Sequence, residues 1–254
     1  MPVICPLLYT YTDMAAKSTQ VDWQEYARKY DMLLAYNPFY QQLQQEVLQL
    51  VDQWEIGSGE LIADLGAGTG NYSLALARRF PGARVLHIDN NPAMNELARQ
   101  KKVSQQLEGL EIWEQGIEEV ELEENSLQGL LSVHALYAFP HPQDALKKAY
   151  RWLRPGGKGV LVDPGRVVNV RRWQLAIGWH LLRSYGPART LRIMQDGKIV
   201  SRQNRYIRSM QKRGELWTHS HEEFCDAVMQ AGFRILESRL CFRGLSDLVV
   251  VCKS

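Results

Sequence analysis

The sequence predicts an α/β fold: a doubly wound, mostly parallel sheet of seven strands, with a segment inserted after the fifth strand. Three observations predict it. Short apolar runs alternate with stretches of helical spacing from about residue 60 to residue 163, which implies right-handed crossovers between parallel strands covered on both faces. A glycine cluster stands where the first apolar run gives way to a helix. The alternation lapses between Pro164 and about Leu216, then resumes and closes with two strands joined by a short turn, an antiparallel hairpin at one sheet edge.

Taken in order, Asp22 caps a helix running to about Tyr36, and Pro38 opens a second that ends near Trp54. Glu60 to Leu65 is the first strand, and Tyr72 to Phe80 is the helix after the glycines. Arg84 to Ile88 reads as a strand, Pro92 to Val103 as a helix, and Leu110 to Gln115 as a strand. Leu130 to Val133 is the next strand, followed by a helix over Gln143 to Leu153. Arg154-Pro-Gly-Gly157 reads as a turn into the fifth strand, Gly157 to Val162. After the insert come the helix His221 to Ala231 and the strands Phe233 to Cys241 and Asp247 to Cys252. Residues 1–21 are an N-terminal extension, residues 22–163 with 216–254 form the main domain, and residues 164–215 are the insert.

The chain has 254 residues, 45% hydrophobic and 23% charged, which excludes a disordered tail protein and supports one large core. Cys5, Cys225, Cys241 and Cys252 lie far apart with no CxxC pair, which argues against a metal module or a disulfide framework and fits a reducing cytoplasm. The N-terminus has no basic n-region, and no window holds enough consecutive apolar residues for a membrane span. The net charge is +2, unevenly distributed. Residues 108–124 hold eight Glu and no Lys or Arg, and residues 165–214 hold twelve Lys or Arg against one acid, Asp196.

Asp64-Leu-Gly66-Ala-Gly68-Thr-Gly70 joins a strand to a helix, where glycines permit positive φ and the helix N-terminus offers free N–H donors. Asp89 ends the next strand, nineteen residues after Gly70, where an acid can take two ribose hydroxyls. A nucleoside ligand follows, either a dinucleotide or S-adenosylmethionine. The dinucleotide fingerprint asks for G-x-G-x-x-G, and here the spacing is G-x-G-x-G behind an aspartate that can attract a cationic group.

With Val85-Leu-His-Ile-Asp89, Glu114-Gln-Gly-Ile-Glu118 and Trp152-Leu-Arg-Pro-Gly-Gly157 in that order, the chain resembles the class I S-adenosylmethionine-dependent methyltransferases of the small-molecule type. The resemblance covers about residues 22–163 and 216–252 and implies the Rossmann-like methyltransferase fold. It implies that Gly66, Gly68 and Gly70, with Ala67, wrap the methionine and ribose of the cofactor and that Asp64 sits near its ammonium group. Asp89 with Asn90 would hold the ribose, Gly116 and Ile117 would face the adenine, and Ser132 and Val133 would lie along the methionine. Tyr26 and Tyr30, four residues apart and so on one helix face, match an N-terminal helix that closes over the cofactor; ordinary core packing accounts for them equally. Where the family carries an acid at the start of the fourth strand, this chain has Gln128.

Methyl transfer from a sulfonium needs alignment and exclusion of water, and needs a base only for acidic acceptors. His134 and Tyr137, just after the fourth strand, lead as catalytic candidates ahead of His141 and Asp163. In the insert, Arg171 to Tyr185 reads as a helix and Asp196-Gly197 as the turn of a hairpin between Leu191–Met194 and Lys198–Val200. The insert is expected to be a lid in which Arg171, Arg172 and Trp173 bind a small, anionic, partly apolar acceptor. The glutamates of residues 108–124 are a solvated edge or pair with the insert. The alternatives left open are an acceptor on RNA, disfavoured by the nearly neutral balance, an acceptor on an acidic carrier protein, and a module that binds the cofactor without turnover. A projecting hairpin would offer a homodimer contact.

Overall fold

The computed structural model describes residues 23–254, so the expected cap Asp22 and the extension 1–21 lie outside the described residues. Two helices lead, α1 (Trp23–Tyr36) and α2 (Pro38–Val51). The break between them is made by Asn37, whose side chain accepts from the Phe39 N–H while Pro38 occupies the first helical turn, where a missing donor does no harm.

The predicted alternation then unfolds as β1 (Leu61–Leu65), α3 (Ser73–Arg79), β2 (Arg84–Asp89), α4 (Pro92–Ser104), β3 (Leu110–Glu114), β4 (Leu127–Val133), α5 (Pro142–Trp152) and β5 (Leu153–Asp163). The chain closes with α6 (Val170–Asp196), α7 (Lys198–Arg213), α8 (His221–Gln230), β6 (Arg234–Cys241) and β7 (Ser246–Cys252). Strand order is β3-β2-β1-β4-β5-β7-β6, with β7 antiparallel to both neighbours and the other pairings parallel. The winding direction reverses between β1 and β4, so a crevice opens at their carboxyl ends.

Alternate strand residues feed two cores. Ala63, Leu65, Leu86 and Ile88 pack on one face with Leu146 and Trp152 of α5 and Phe224 of α8. Ile62 and Val85 point to the other, against Val47 and Val51 of α2 and Leu74 and Leu76 of α3.

Two details differ from the sequence reading. The Arg154–Gly157 turn is a bulge inside β5: the register runs from Leu127↔Leu153 directly to Gly129↔Lys158. Gly156, at φ +79°, turns its N–H to the Lys253 carbonyl. The expected hairpin about Asp196-Gly197 is instead the junction of two helices, α6 and α7. Gly197 has φ −79°, an ordinary helical value, and its N–H bonds to the Ile193 carbonyl. Lys198–Arg213 then buries Val200, Gln203, Ile207 and Gln211 at helical spacing. The insert is thus a helical pair, kinked within α6 at Gly186 (φ +72°) and Pro187.

A third core fixes this pair in place. Tyr26, Ala27 and Leu33 of α1 pack against Val200 and Ile207 of α7 on one side and Met94 of α4 on the other. The Tyr26 hydroxyl donates to Asn204 Oδ1 at 3.1 Å. The glutamates of residues 108–124 pair within the sheet domain and not with the insert: Glu111 with Arg84, Glu114 with Arg99 and Glu121 with Lys148. The Gln128 amide donates to the Glu55 carbonyl at 2.8 Å, tying β4 to the linker before β1.

Candidate active site

The glycine turn takes its shape from what surrounds it. Gly66, Gly68 and Gly70 all have positive φ, at 69°, 57° and 80°. The Gly66 and Ala67 N–H groups bond to the Ile88 carbonyl, which locks the turn to the end of β2. The Asp89 carboxylate spans the same gap, accepting from Gly68 N at 2.8 Å through one oxygen and from Asn91 N at 2.8 Å through the other. Helix α1 is anchored over the turn by Asp31, which accepts from the Thr69 hydroxyl at 2.6 Å and pairs with Lys101 at 2.7 Å.

Three cavities meet here. The first, about 200 Å³, is lined by Gly66, Gly68, Asp89, Asn90, Gly116 and Ile117, among others. A smaller one, about 40 Å³, reaches back to Asp64, Ala67, Tyr72 and Val133. The third, about 170 Å³, lies under the insert and is walled mainly by apolar and aromatic side chains, among them Leu33, Tyr40, Trp173, Ile177 and Phe242. Tyr30 and His134 line all three, and Tyr137 lines the two larger ones.

Most of the residues read from sequence therefore converge. Tyr26 lines the cavity under the insert and Tyr30 stands at the junction, their rings edge to face at 5.2 Å. Of the cofactor- and acceptor-binding residues four fall elsewhere, and the candidate base His141 is exposed just before α5 and lines none of these cavities. Ser132 is fully buried and its hydroxyl donates to the Leu65 carbonyl at 3.1 Å, so it braces β1 and does not face a cavity. Gly70 turns away from the cavities toward Leu74 and Ala98, where a Cβ would meet carbons at 3.1 and 3.2 Å. Arg171 and Arg172 are exposed on α6 and line none of these cavities, whereas Trp173 does.

His134 has φ +54°, rare for a residue with a Cβ and worth interpreting at a cavity wall. Its N–H bonds to the Val162 carbonyl at 2.7 Å, which holds it at the end of β4. Its ring shares hydrogen bonds with Ser246 Oγ at 2.9 Å and Tyr40 Oη at 3.3 Å. Burial lowers its pKa to about 4, so the imidazole is neutral at physiological pH. Tyr30 is likewise kept neutral, its pKa pushed up to about 12 by burial, and Tyr137 is raised further.

Asp163, a candidate base in the sequence, is committed elsewhere. It accepts from Tyr137 N at 3.0 Å and shares a hydrogen bond with His219 Nε2 at 3.2 Å. His219 also lies 3.4 Å from Asp247, which pairs with Arg166 and, at 2.8 Å, with His221. This chain of charges orients the backbone beneath Tyr137 and is a positioning device. Sequence reasoning missed Ser246, His219 and Asp247 because their roles depend on the β5–β7 pairing, in which Asp163 stands opposite Asp247, and missed Tyr40 because its role depends on how α2 lies across the sheet. It also missed Glu118, a neighbour of Ile117 whose side chain lines the first cavity.

The electrostatics test whether S-adenosylmethionine fits. Asp64 is 2% exposed, and burial followed by the nearby Asp89 charge raises its pKa to about 7, against the hydrogen bond from Ser73 at 2.6 Å. Burial raises Asp89 as well. Among the described residues neither has an ion-pair partner, so the site holds two carboxylates in need of cationic or hydroxyl donors. A ligand with an ammonium, a sulfonium and a ribose diol supplies these.

This sheet order, with a glycine turn clasped by an acid at the adjacent strand end, defines a Rossmann-like nucleoside-binding domain of the methyltransferase type. Residues 63–161 match the family described as methyltransferase domain. The chain is similar to 2-methyl-6-phytyl-1,4-hydroquinone methyltransferase 2, chloroplastic, of Oryza sativa subsp. japonica, 31% identical over 103 residues, or 41% of this chain and 29% of the relative. It is similar over a longer span to the ubiquinone/menaquinone biosynthesis C-methyltransferase of Zymomonas mobilis subsp. mobilis, 25% identical over 189 residues, 74% of this chain and 73% of the relative. An S-adenosylmethionine-dependent methyltransferase from Aquifex aeolicus shares the fold, with TM-score 0.58 at 14% identity over 91% of this chain and 98% of that one. Residues 63–161 are thus a methyltransferase domain, the described residues share the Rossmann-like fold of S-adenosylmethionine-dependent methyltransferases, and S-adenosylmethionine is the cofactor the site fits. The match spans about a third of the first two curated relatives, 29% and 31% of their lengths.

Proposed function

We propose that the protein transfers a methyl group to a small acceptor of the hydroquinone type carrying an apolar tail. The observation that supports this reading is the meeting of the cofactor cavity and the apolar cavity at Tyr30, His134 and Tyr137. Gly66, Gly68 and Asp89 would hold the ribose and methionine, Asp64 the ammonium, and Gly116 with Ile117 the adenine; the Glu118 carboxylate can accept from the adenine amino group, which the Ile117 side chain cannot. Bound there, the cofactor supplies an electrophilic methyl on a sulfonium.

The chain's residues then have three tasks. Tyr40, Trp173 and Phe242 present ring faces and edges that suit an aromatic acceptor; Trp173 and Phe242 lie 4.6 Å apart and Tyr40 and Phe242 4.8 Å. Neutral His134, its ring nitrogens bonded to Ser246 and Tyr40, fixes the Tyr40 hydroxyl at the junction, where that oxygen accepts from an acceptor hydroxyl and orients it for in-line attack; the proton the acceptor gives up passes to water. Helices α1, α6 and α7 exclude water. An apolar tail continues into a second cavity under the insert, about 790 Å³, which shares Leu33, Ile177 and Val200 with the acceptor cavity. Curated relatives named for phytyl-hydroquinone and demethylmenaquinone methylation act on such molecules. An anionic acceptor has less support, since Arg171 and Arg172 face solvent and Arg166 is paired with Asp247.

The test is calorimetry with S-adenosylmethionine, S-adenosylhomocysteine and NAD, followed by transfer of labelled methyl to tailed hydroquinones, tail-free hydroquinones and small carboxylates. Binding of the first two nucleosides, with label moving to hydroquinones and a lower KM for the tailed ones, is expected. Label on carboxylates alone, or on none of the panel despite cofactor binding, overturns the acceptor.

A further inference from the structure

Helix α6 presents an apolar stripe to solvent. Leu175, Trp179 and Leu182 stand at i, i+4 and i+7, so they share one face, and Leu175 is 77% and Trp179 63% exposed. Beyond the Gly186–Pro187 kink, Leu191 and Met194 are also exposed. Half of the exposed large hydrophobic side chains among the described residues therefore lie on this helix. Arg171, Arg172 and Arg183 flank the stripe within about 100° at helical spacing, all exposed, and among the described residues none of them has an acidic partner. Arg183 reaches over the Trp179 ring at 5.9 Å. Residues 165–214 contain one acid, Asp196, which pairs with Lys29 at 4.0 Å.

The two exposed side chains beyond the kink border an opening. Leu191 and Met194 line the 790 Å³ cavity, which shares walls with the acceptor cavity, which in turn meets the cofactor cavity at Tyr30, His134 and Tyr137. An apolar path thus runs from Leu191 and Met194 to the reacting centre. A basic helix with an aromatic and aliphatic stripe has the charge and polarity to lie in the headgroup region of an anionic bilayer. No helix among the described residues is long and apolar enough to cross one.

We infer that α6 docks the protein on the surface of an anionic lipid membrane, with the cavity mouth at Leu191 and Met194 turned to the lipid so that an apolar-tailed acceptor enters from the bilayer. The inference rests on the tailed acceptor proposed above. Stripe and arginines play complementary parts: charge brings the helix to the surface, and burial of Leu175, Trp179 and Leu182 holds it there. Neither is sufficient for stable attachment alone.

The test is co-sedimentation of the full chain with phosphatidylcholine vesicles and with vesicles of phosphatidylcholine and phosphatidylglycerol, without acceptor or cofactor. Binding to the anionic vesicles several-fold above the neutral ones, falling as salt is raised, is expected. L175Q/W179Q should weaken it about ten-fold or more, and R171Q/R172Q should remove the preference for anionic lipid. Both variants should keep the wild-type melting temperature and S-adenosylmethionine affinity, since these residues line no cofactor surface. No binding at low salt, or equal binding by wild type and L175Q/W179Q, overturns the docking surface. So does preferential capture of a single-stranded RNA or polyglutamate that survives L175Q/W179Q, because the face would then serve phosphates or an acidic protein. Methylation of a tail-free hydroquinone in solution is scored separately: turnover without vesicle binding overturns the surface and leaves the reaction, whereas vesicle binding without turnover of any hydroquinone leaves the surface and overturns the acceptor.

Discussion

At the scale of single residues, His134 concentrates the chemistry, and its environment makes a specific demand. A neutral imidazole bonded to Ser246 and Tyr40 can hold the Tyr40 hydroxyl in place for an acceptor but holds a proton poorly, because burial lowers its pKa to about 4. The pH profile of kcat/KM should therefore carry no limb from His134 between about pH 5.5 and 8. H134N is the variant to compare, since Asn tolerates the left-handed backbone that Ala would strain. We expect kcat to fall about 10- to 100-fold with S-adenosylmethionine affinity kept within about three-fold. A limb near pH 6.5 in the wild type that vanishes in H134N would show a titrating base and refute the neutral imidazole. Asp89, Gly66, Gly68 and His134 were legible in the sequence because strand ends of a doubly wound sheet face one crevice. Ser246 and Tyr40 were not, since one depends on β7 register and the other on how α2 lies across the sheet.

At the scale of elements, the glycine turn separates folding from binding within three residues. A Cβ on Gly66 would stand 2.3 Å from the Ala135 Cβ, while a Cβ on Gly68 meets nothing within 4 Å. Both have positive φ, costing any L side chain about 1–2 kcal/mol. G66A should therefore lose stability beyond that backbone strain, with a melting temperature well below that of G68A. G68A should stay folded and lose cofactor affinity, because its methyl would project into the space proposed above for the ribose and methionine. Thermal unfolding of both variants with and without S-adenosylhomocysteine checks this; equal melting temperatures would mean that the loop relaxes around the methyl added in G66A. The insert shows where element reading failed. Asp-Gly between short apolar stretches is a strong hairpin signal, but the helical repeat of Val200, Gln203, Ile207 and Gln211 includes two glutamines that a hydrophobic pattern does not count.

At the scale of the whole molecule, a buried cluster joins β5 and β7 to the insert, and its protonation is tied to folding. Asp163 ends β5, Asp247 stands opposite it on β7, His219 lies between them, and Arg166 leads into α6. Arg166 and Val168 are tied in turn to Gln211 of α7. Burial pushes the pKa of His219 down, but hydrogen bonds to Asp163 and Asp247 and the Asp163 charge outweigh it and raise the value from 6.5 to about 9. Folding therefore takes up a proton there: the contribution is complete below about pH 6.5 and is lost as pH rises through about 9. Asp163, raised to about 6 by burial against the pull of His219, acts at lower pH and does not overlap this window. The unfolding free energy should fall by on the order of 1–3 kcal/mol between pH 6.5 and 9.5. H219Q should be less stable at pH 6.5, because it leaves Asp163 and Asp247 facing each other without the imidazolium, and its profile should be flatter over the same range. Denaturant unfolding of both proteins at closely spaced pH decides it: parallel profiles would show that His219 is neutral in the folded chain, and that Arg166 alone balances the two aspartates where the insert leaves the sheet.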